Sequence, residues 1–157
     1  MDHKVLWIEE EGDDLADYAA PLLLAGYTVD VAHSITEALA RLAEQEYDVV
    51  VCDLLVNAGD DPEWQALDDR IAEIRKELYL GLHFMRSLFV PESAEIPLDA
   101  EALNLTPSKV AIFTVVSDPS VHAELQGMGL ASMRVKGRSS LTVLKELADD
   151  VVGASHD

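Results

Sequence analysis

Four apolar runs in this chain each lead into a reactive side chain. Val5-Leu6-Trp7-Ile8 runs into Glu9-Glu10-Glu11, and Val49-Val50-Val51-Cys52 runs into Asp53. The run Lys109 to Val116 carries Thr114 near its end, and Ala131 to Val135 is followed by Lys136. If the runs are parallel strands, all four positions fall on one sheet edge. Ligands bind beyond that edge in open α/β sheets. Carboxylates gathered there make a cation site. Hard oxygen ligands suit Mg²⁺, which takes one or two carboxylates together with phosphate oxygens and water. An aspartate beside such a metal can act as a nucleophile toward phosphoryl groups, giving an aspartyl phosphate. A hydroxyl and a lysine can then bind the phosphoryl oxygens.

The elements that must position these groups are legible in the pattern. Residues 4–8 read as a buried strand, and Asp13 and Asp14 stand where helix N-caps and first-turn acids belong. Leu15, Ala16, Ala19, Leu22 and Leu23 follow at helical spacing, and Gly26 is a helix stop. Tyr27 to Ala32 alternates like a strand. Ser34 with Glu37 three residues on is a capping-box pattern. It opens a helix faced by Ile35, Ala38, Leu39 and Leu42. Asp48 to Cys52 is continuous and Val-rich, as expected of a strand covered on both faces. Later helices are expected over Val121 to Gln126 and from Ser139 or Ser140 through Val152. Strands alternating with helices imply βαβ units and a parallel sheet.

Between the third and fourth strands the chain is less ordinary. Residues 56–62 read as a loop. Trp64, Leu67, Ile71, Ile74, Leu78, Leu82, Met85 and Phe89 then recur by threes and fours, the stripe of an amphipathic helix, which Gly81 interrupts so that two helices can meet there. Half of that helix exceeds what a five-stranded sheet needs to cover itself. Trp64, Leu67, Ile71, Ile74 and Leu78 are therefore read as a surface for a partner or a second copy of the chain. The alternative is an elongated helix packed on the sheet. Residues 91–108 hold Pro91, Pro97 and Pro107 and read as a long irregular connection.

Composition narrows the function. The chain has 157 residues, a length that suits one domain, and 49% are hydrophobic, enough to build a core. Thirty acidic against eleven basic side chains give a formal charge of −19. That argues against nucleic acid or anionic membrane as partners, because phosphate contacts need Lys and Arg. The single cysteine, Cys52, lies in an apolar run and reads as a buried, inert thiol. The five histidines show no ligand spacing for zinc. No segment reads as a signal peptide or reaches the ~20 apolar residues of a membrane span, which points to the cytoplasm.

Taken together, K-V-L-W-I-E-E-E from Lys4, Y-D-V-V-V-C-D ending at Asp53, A-I-F-T ending at Thr114 and M-R-V-K ending at Lys136 resemble the receiver domain of two-component response regulators. G-Y-T-V-D-V-A followed by S-I-T-E-A-L-A-R-L adds a second strand and helix of that family's type. The resemblance covers most of the chain, apart from an insertion over about 57–80 and the loop at about 91–108. It implies a doubly wound, flavodoxin-like, five-stranded parallel sheet of order 2-1-3-4-5, here with an extended third helix. It further implies phosphorylation at Asp53, Mg²⁺ held at Glu9, Glu10, Asp53 and Leu55, and switch positions at Thr114, Val115, Met133 and Lys136. A histidine kinase or phosphotransfer protein would be the donor, and a downstream protein the target. The chain would be a stand-alone, non-enzymatic module.

Departures from the family pattern favour a second reading. Glu9 and Glu10 stand where the family has aspartates. Val115 is β-branched where a small residue is usual. Lys136 precedes Gly137 rather than proline, and a cis bond without proline costs ~3 kcal/mol. Met133 stands where an aromatic residue is usual. These changes suit an atypical receiver that is never phosphorylated and serves as a constitutive interaction or dimerisation module. A phosphatase of haloacid-dehalogenase type would need a second acid two residues after the nucleophile, where this chain has Leu55.

Overall fold

The structure is a computed structural model that describes residues 3–9, 15–74, 79–136 and 141–155. Five short strands form the sheet: β1 (Lys4–Ile8), β2 (Thr28–Ala32), β3 (Val49–Cys52), β4 (Val110–Thr114) and β5 (Ser132–Val135). Every pairing is parallel and the order is β2-β1-β3-β4-β5, the order expected from the sequence. The helices described are α1 (Leu15–Leu24), α2 (Ile35–Glu44), α3 (Pro62–Ile74), α4 (Leu80–Phe89), α5 (Pro119–Gly127) and α6 (Val143–Ser155).

The two-residue strand period divides the core into two layers. Trp7, Val49, Val51, Ala111 and Phe113 pack with residues of α1 and α6. Leu6, Ile8, Val50, Cys52 and Ile112 pack with residues of α2, α3, α4 and α5. Strands covered on both faces explain the unbroken apolar runs. At the start of α2, the Ser34 hydroxyl accepts the Glu37 backbone N–H at 3.1 Å, and the Glu37 carboxylate accepts the His33 N–H at 3.0 Å. The acids Asp13 and Asp14 at the entry to α1 lie outside the described residues.

Two expectations need correction. The extended third helix is two helices. Tyr79 caps α4 with extended backbone (φ −103°, ψ 132°), which no helix can carry through. The first three residues of the Trp64 stripe are core, not partner surface. Trp64, Leu67 and Ile71 are buried in the α2–α5 layer, and Trp64 meets Phe84 edge to face, with ring centroids 5.8 Å apart. The insertion thus covers the core from within the fold. Ile74 ends α3, and Leu78 lies outside the described residues. The 91–108 connection is also packed. It forms two 3₁₀ turns, Pro91–Ser93 and Pro107–Lys109, and sets Ile96, Leu98, Leu103 and Leu105 against the same layer.

Gly81 explains why the second helix starts where it does. A Cβ there would lie 2.5 Å from Leu54 Cα and 2.6 Å from the Asp53 carbonyl oxygen. Its N–H donates to the Leu54 carbonyl at 3.0 Å. The turn after β3 is therefore pressed onto the first turn of α4. The opposing atoms are backbone and cannot swing aside. Gly81→Ala is expected to cost about 1–3 kcal/mol, the usual penalty of overpacking, measured by urea unfolding.

Candidate functional site

All four reactive positions reach the carboxyl edge of the sheet. Asp53 follows β3, and its N–H donates to the Ile8 carbonyl at 3.1 Å. Glu9 follows β1, and its N–H donates to the Ala32 carbonyl at 2.9 Å. Thr114 closes β4. Lys136 follows β5 and is tied back by its N–H to the Thr114 carbonyl at 2.7 Å. Each side chain is thus launched from a backbone already held in the sheet.

The side chains converge on Asp53. Its Oδ1 accepts the Thr114 hydroxyl at 2.7 Å and the Leu55 N–H at 3.0 Å. Its Oδ2 accepts the Lys136 ammonium at 2.8 Å. The same ammonium donates to Glu9 Oε2 at 2.5 Å. Glu9 and Asp53 are 3% and 4% exposed and Thr114 is fully buried. Two buried carboxylates sharing one ammonium form a formally anionic trio. Burial works against the charge on Lys136, but hydrogen bonds and attraction to Asp53 and Glu9 prevail, so its pKa rises above the usual lysine value. Cys52, just beneath, is wholly buried. Burial first, then the charges of Asp53 and Glu9, push its thiol well up, which leaves it an unreactive core residue.

The donor chemistry fits a divalent cation. Glu9 and Asp53 supply hard oxygens at one point, and an anionic site favours a cation. Among the described residues no third acid, histidine or cysteine joins them. Glu10 lies outside the described residues, as does Gly137. Leu55 contributes its backbone, while its side chain is exposed. Val115 is exposed as well. Met133 lies within β5 opposite Ile112 and packs on the α2–α5 layer. Residue types pointed to Glu9 and Asp53 but did not reveal that one lysine bridges them. Nor did they reveal the clasp that follows Asp53. The N–H groups of Ile35 and Thr36 donate to the Asn57 and Ala58 carbonyls at 2.9 and 3.1 Å, pinning that loop to α2.

This fold is found in known structures. A two-component response regulator from Clostridium difficile superposes with a TM-score of 0.62 over 99% of both chains, at 14% identity. The chemotaxis response regulator CheY4 of Vibrio cholerae gives 0.59 over 96% of this chain and 99% of its own, at 20% identity. The chain has the receiver-domain fold. A response regulator from Burkholderia pseudomallei, solved with a phosphorylated aspartic acid and a calcium ion, gives 0.60 over 99% of this chain and 72% of its own, at 17% identity. No protein-family model matches the sequence, and no curated protein does. The receiver fold is therefore shared at the level of architecture.

The bridging lysine gives a direct expectation. Lys136→Met would leave two buried carboxylates side by side, and stability should fall by about 3 kcal/mol in urea unfolding. The contribution of Lys136 has a pH sign. Its folded pKa is raised, so the contribution is complete below the unfolded value of 10.5 and is lost as pH rises through the folded value.

Proposed function

We propose that this protein is a receiver module of two-component signalling, acting in the cytoplasm, with Asp53 as phosphoacceptor. The observation that carries the reading is the convergence of Thr114 and Lys136 on one buried aspartate, with Glu9 held by the same ammonium. Either Asp53 oxygen could attack, but Oδ1 already accepts two hydrogen bonds and Oδ2 one. Oδ2 is thus the less encumbered nucleophile. It attacks the phosphorus of a phosphohistidine, from a histidine kinase or a phosphotransfer protein. The P–O bond to Asp53 forms as the P–N bond breaks, and the imidazole leaves with its electron pair.

Glu9 and Asp53, with Glu10 and the backbone of Leu55, would hold Mg²⁺. When bound, that ion offsets charge on the phosphoryl oxygens. Lys136 orients a phosphoryl oxygen through its ammonium. Thr114 must exchange Asp53 Oδ1 for a phosphoryl oxygen, which pulls on the β4–α5 loop through the 3.3 Å bond from the Val116 N–H. The phosphoryl group adds about −1.5 to −2 charge. A downstream protein would read the change at the surface.

A second reading has an observation in its favour. Thr114 and Lys136 are already bonded to the unmodified carboxylate, and Val115, next to Thr114 in the chain, stands exposed. A receiver fixed in this way could serve as a constitutive binding module. Incubation with acetyl phosphate and Mg²⁺ separates the two. The first reading expects the intact mass to gain one phosphoryl group, and Asp53→Asn to gain none. An unchanged wild-type mass at millimolar Mg²⁺ would leave the constitutive module standing.

A further inference from the structure

Lys136 has a third neighbour besides its two carboxylates. Its Nζ lies 5.4 Å from the centroid of the Phe113 ring, within the range of a cation–π contact. Phe113 is fully buried one residue before Thr114 and belongs to the α1–α6 layer. Tyr18 of α1 braces it, with centroids 5.3 Å apart at 71°. Trp7, two residues before Glu9 and hence on the same face of β1, meets Tyr18 at 6.2 Å and 78°. Three rings thus form a column in the layer under the ammonium. A lysine has three N–H donors and no acceptor. Glu9 and Asp53 each take one.

We propose that Phe113 is a positioning residue for Lys136, the ring serving as a third partner that holds the ammonium between Glu9 and Asp53. The functional part of this rests on the phosphoacceptor reading. A ring face attracts the ammonium without adding a negative charge. It also accepts no strong hydrogen bond that an incoming phosphoryl oxygen would have to displace. Lys136 can therefore turn from a carboxylate to a phosphoryl oxygen while keeping its place above the ring. An aliphatic residue would fill the same core volume but leave the ammonium to the two carboxylates alone.

Two measurements on Phe113→Leu and Phe113→Tyr test this. The first is the NMR shift of the Lys136 side-chain methylene next to the ammonium. It is expected upfield in the wild type from the ring current, restored to the ordinary range by Phe113→Leu and kept by Phe113→Tyr. The second is affinity for beryllofluoride with Mg²⁺. It is expected to fall about three- to tenfold in Phe113→Leu, the span of a partly buried cation–π contact, and to recover in Phe113→Tyr. An ordinary methylene shift in the wild type, or unchanged affinity in a folded Phe113→Leu, overturns the proposal. If neither variant folds, site-specific fluorinated phenylalanine at 113 keeps the volume and weakens the ring face. Affinity should then fall stepwise with fluorination, and a flat series overturns the proposal. A wild type that binds no beryllofluoride overturns the phosphoacceptor reading instead, and the methylene shift still decides the contact.

Discussion

The constraint on which the site depends is electrostatic. Two carboxylates, Glu9 and Asp53, are held out of water at the end of adjacent strands, and one ammonium serves both. Buried charges persist only when paired and hydrogen-bonded. Lys136 meets that demand from across the sheet, joining residue 136 to residues 9 and 53. The Thr114 hydroxyl and the Leu55 N–H complete the shell of Asp53. An arrangement that concentrates negative charge, compensates part of it and fixes its donors in place is also what a cation and a phosphoryl group require. Stability and chemistry here draw on the same contacts.

The scaffold earns this arrangement by topology. With β3 beside β1, and β4 and β5 following, parallel strands deliver all four side chains to one edge. The added segments reinforce the edge rather than extend away from it. The turn after Asp53 is pressed against Gly81 on one side and pinned to the start of α2 through Asn57 and Ala58 on the other. The helix α3 buries Trp64 against Phe84 beneath them. A loop held at two points offers its aspartate in one orientation, which reduces the entropy lost on ordering it around a ligand.

The strands were legible because burial on both faces leaves continuous Val and Ile runs, and the sheet order followed from the resemblance those runs carry. The four site positions were legible because each is a polar residue at or just past the end of such a run. The insertion was not. The Trp64 stripe has helical spacing whether it faces a partner or the core, and periodicity cannot tell these apart. Only the fold shows that α3 turns that stripe inward. The break before α4 was legible only as an alternative, for a related reason. Gly81 stood out as an interruption, but the pattern could not show that Leu54 presses on it, a contact between residues far apart in sequence. The Lys136 bridge to Glu9 likewise joins distant residues, which local pattern does not report.

Whether the buried aspartate is used as a switch or kept as a fixed anchor turns on whether Thr114 and Lys136 can release it to a phosphoryl group. The most direct test is a structure of the protein with Mg²⁺ and beryllofluoride. The expected result is beryllium bonded to Asp53 Oδ2, with fluorides accepting from Thr114 and Lys136. An unmodified Asp53 at saturating reagent, still bonded to Thr114 and Lys136 as here, would contradict the account.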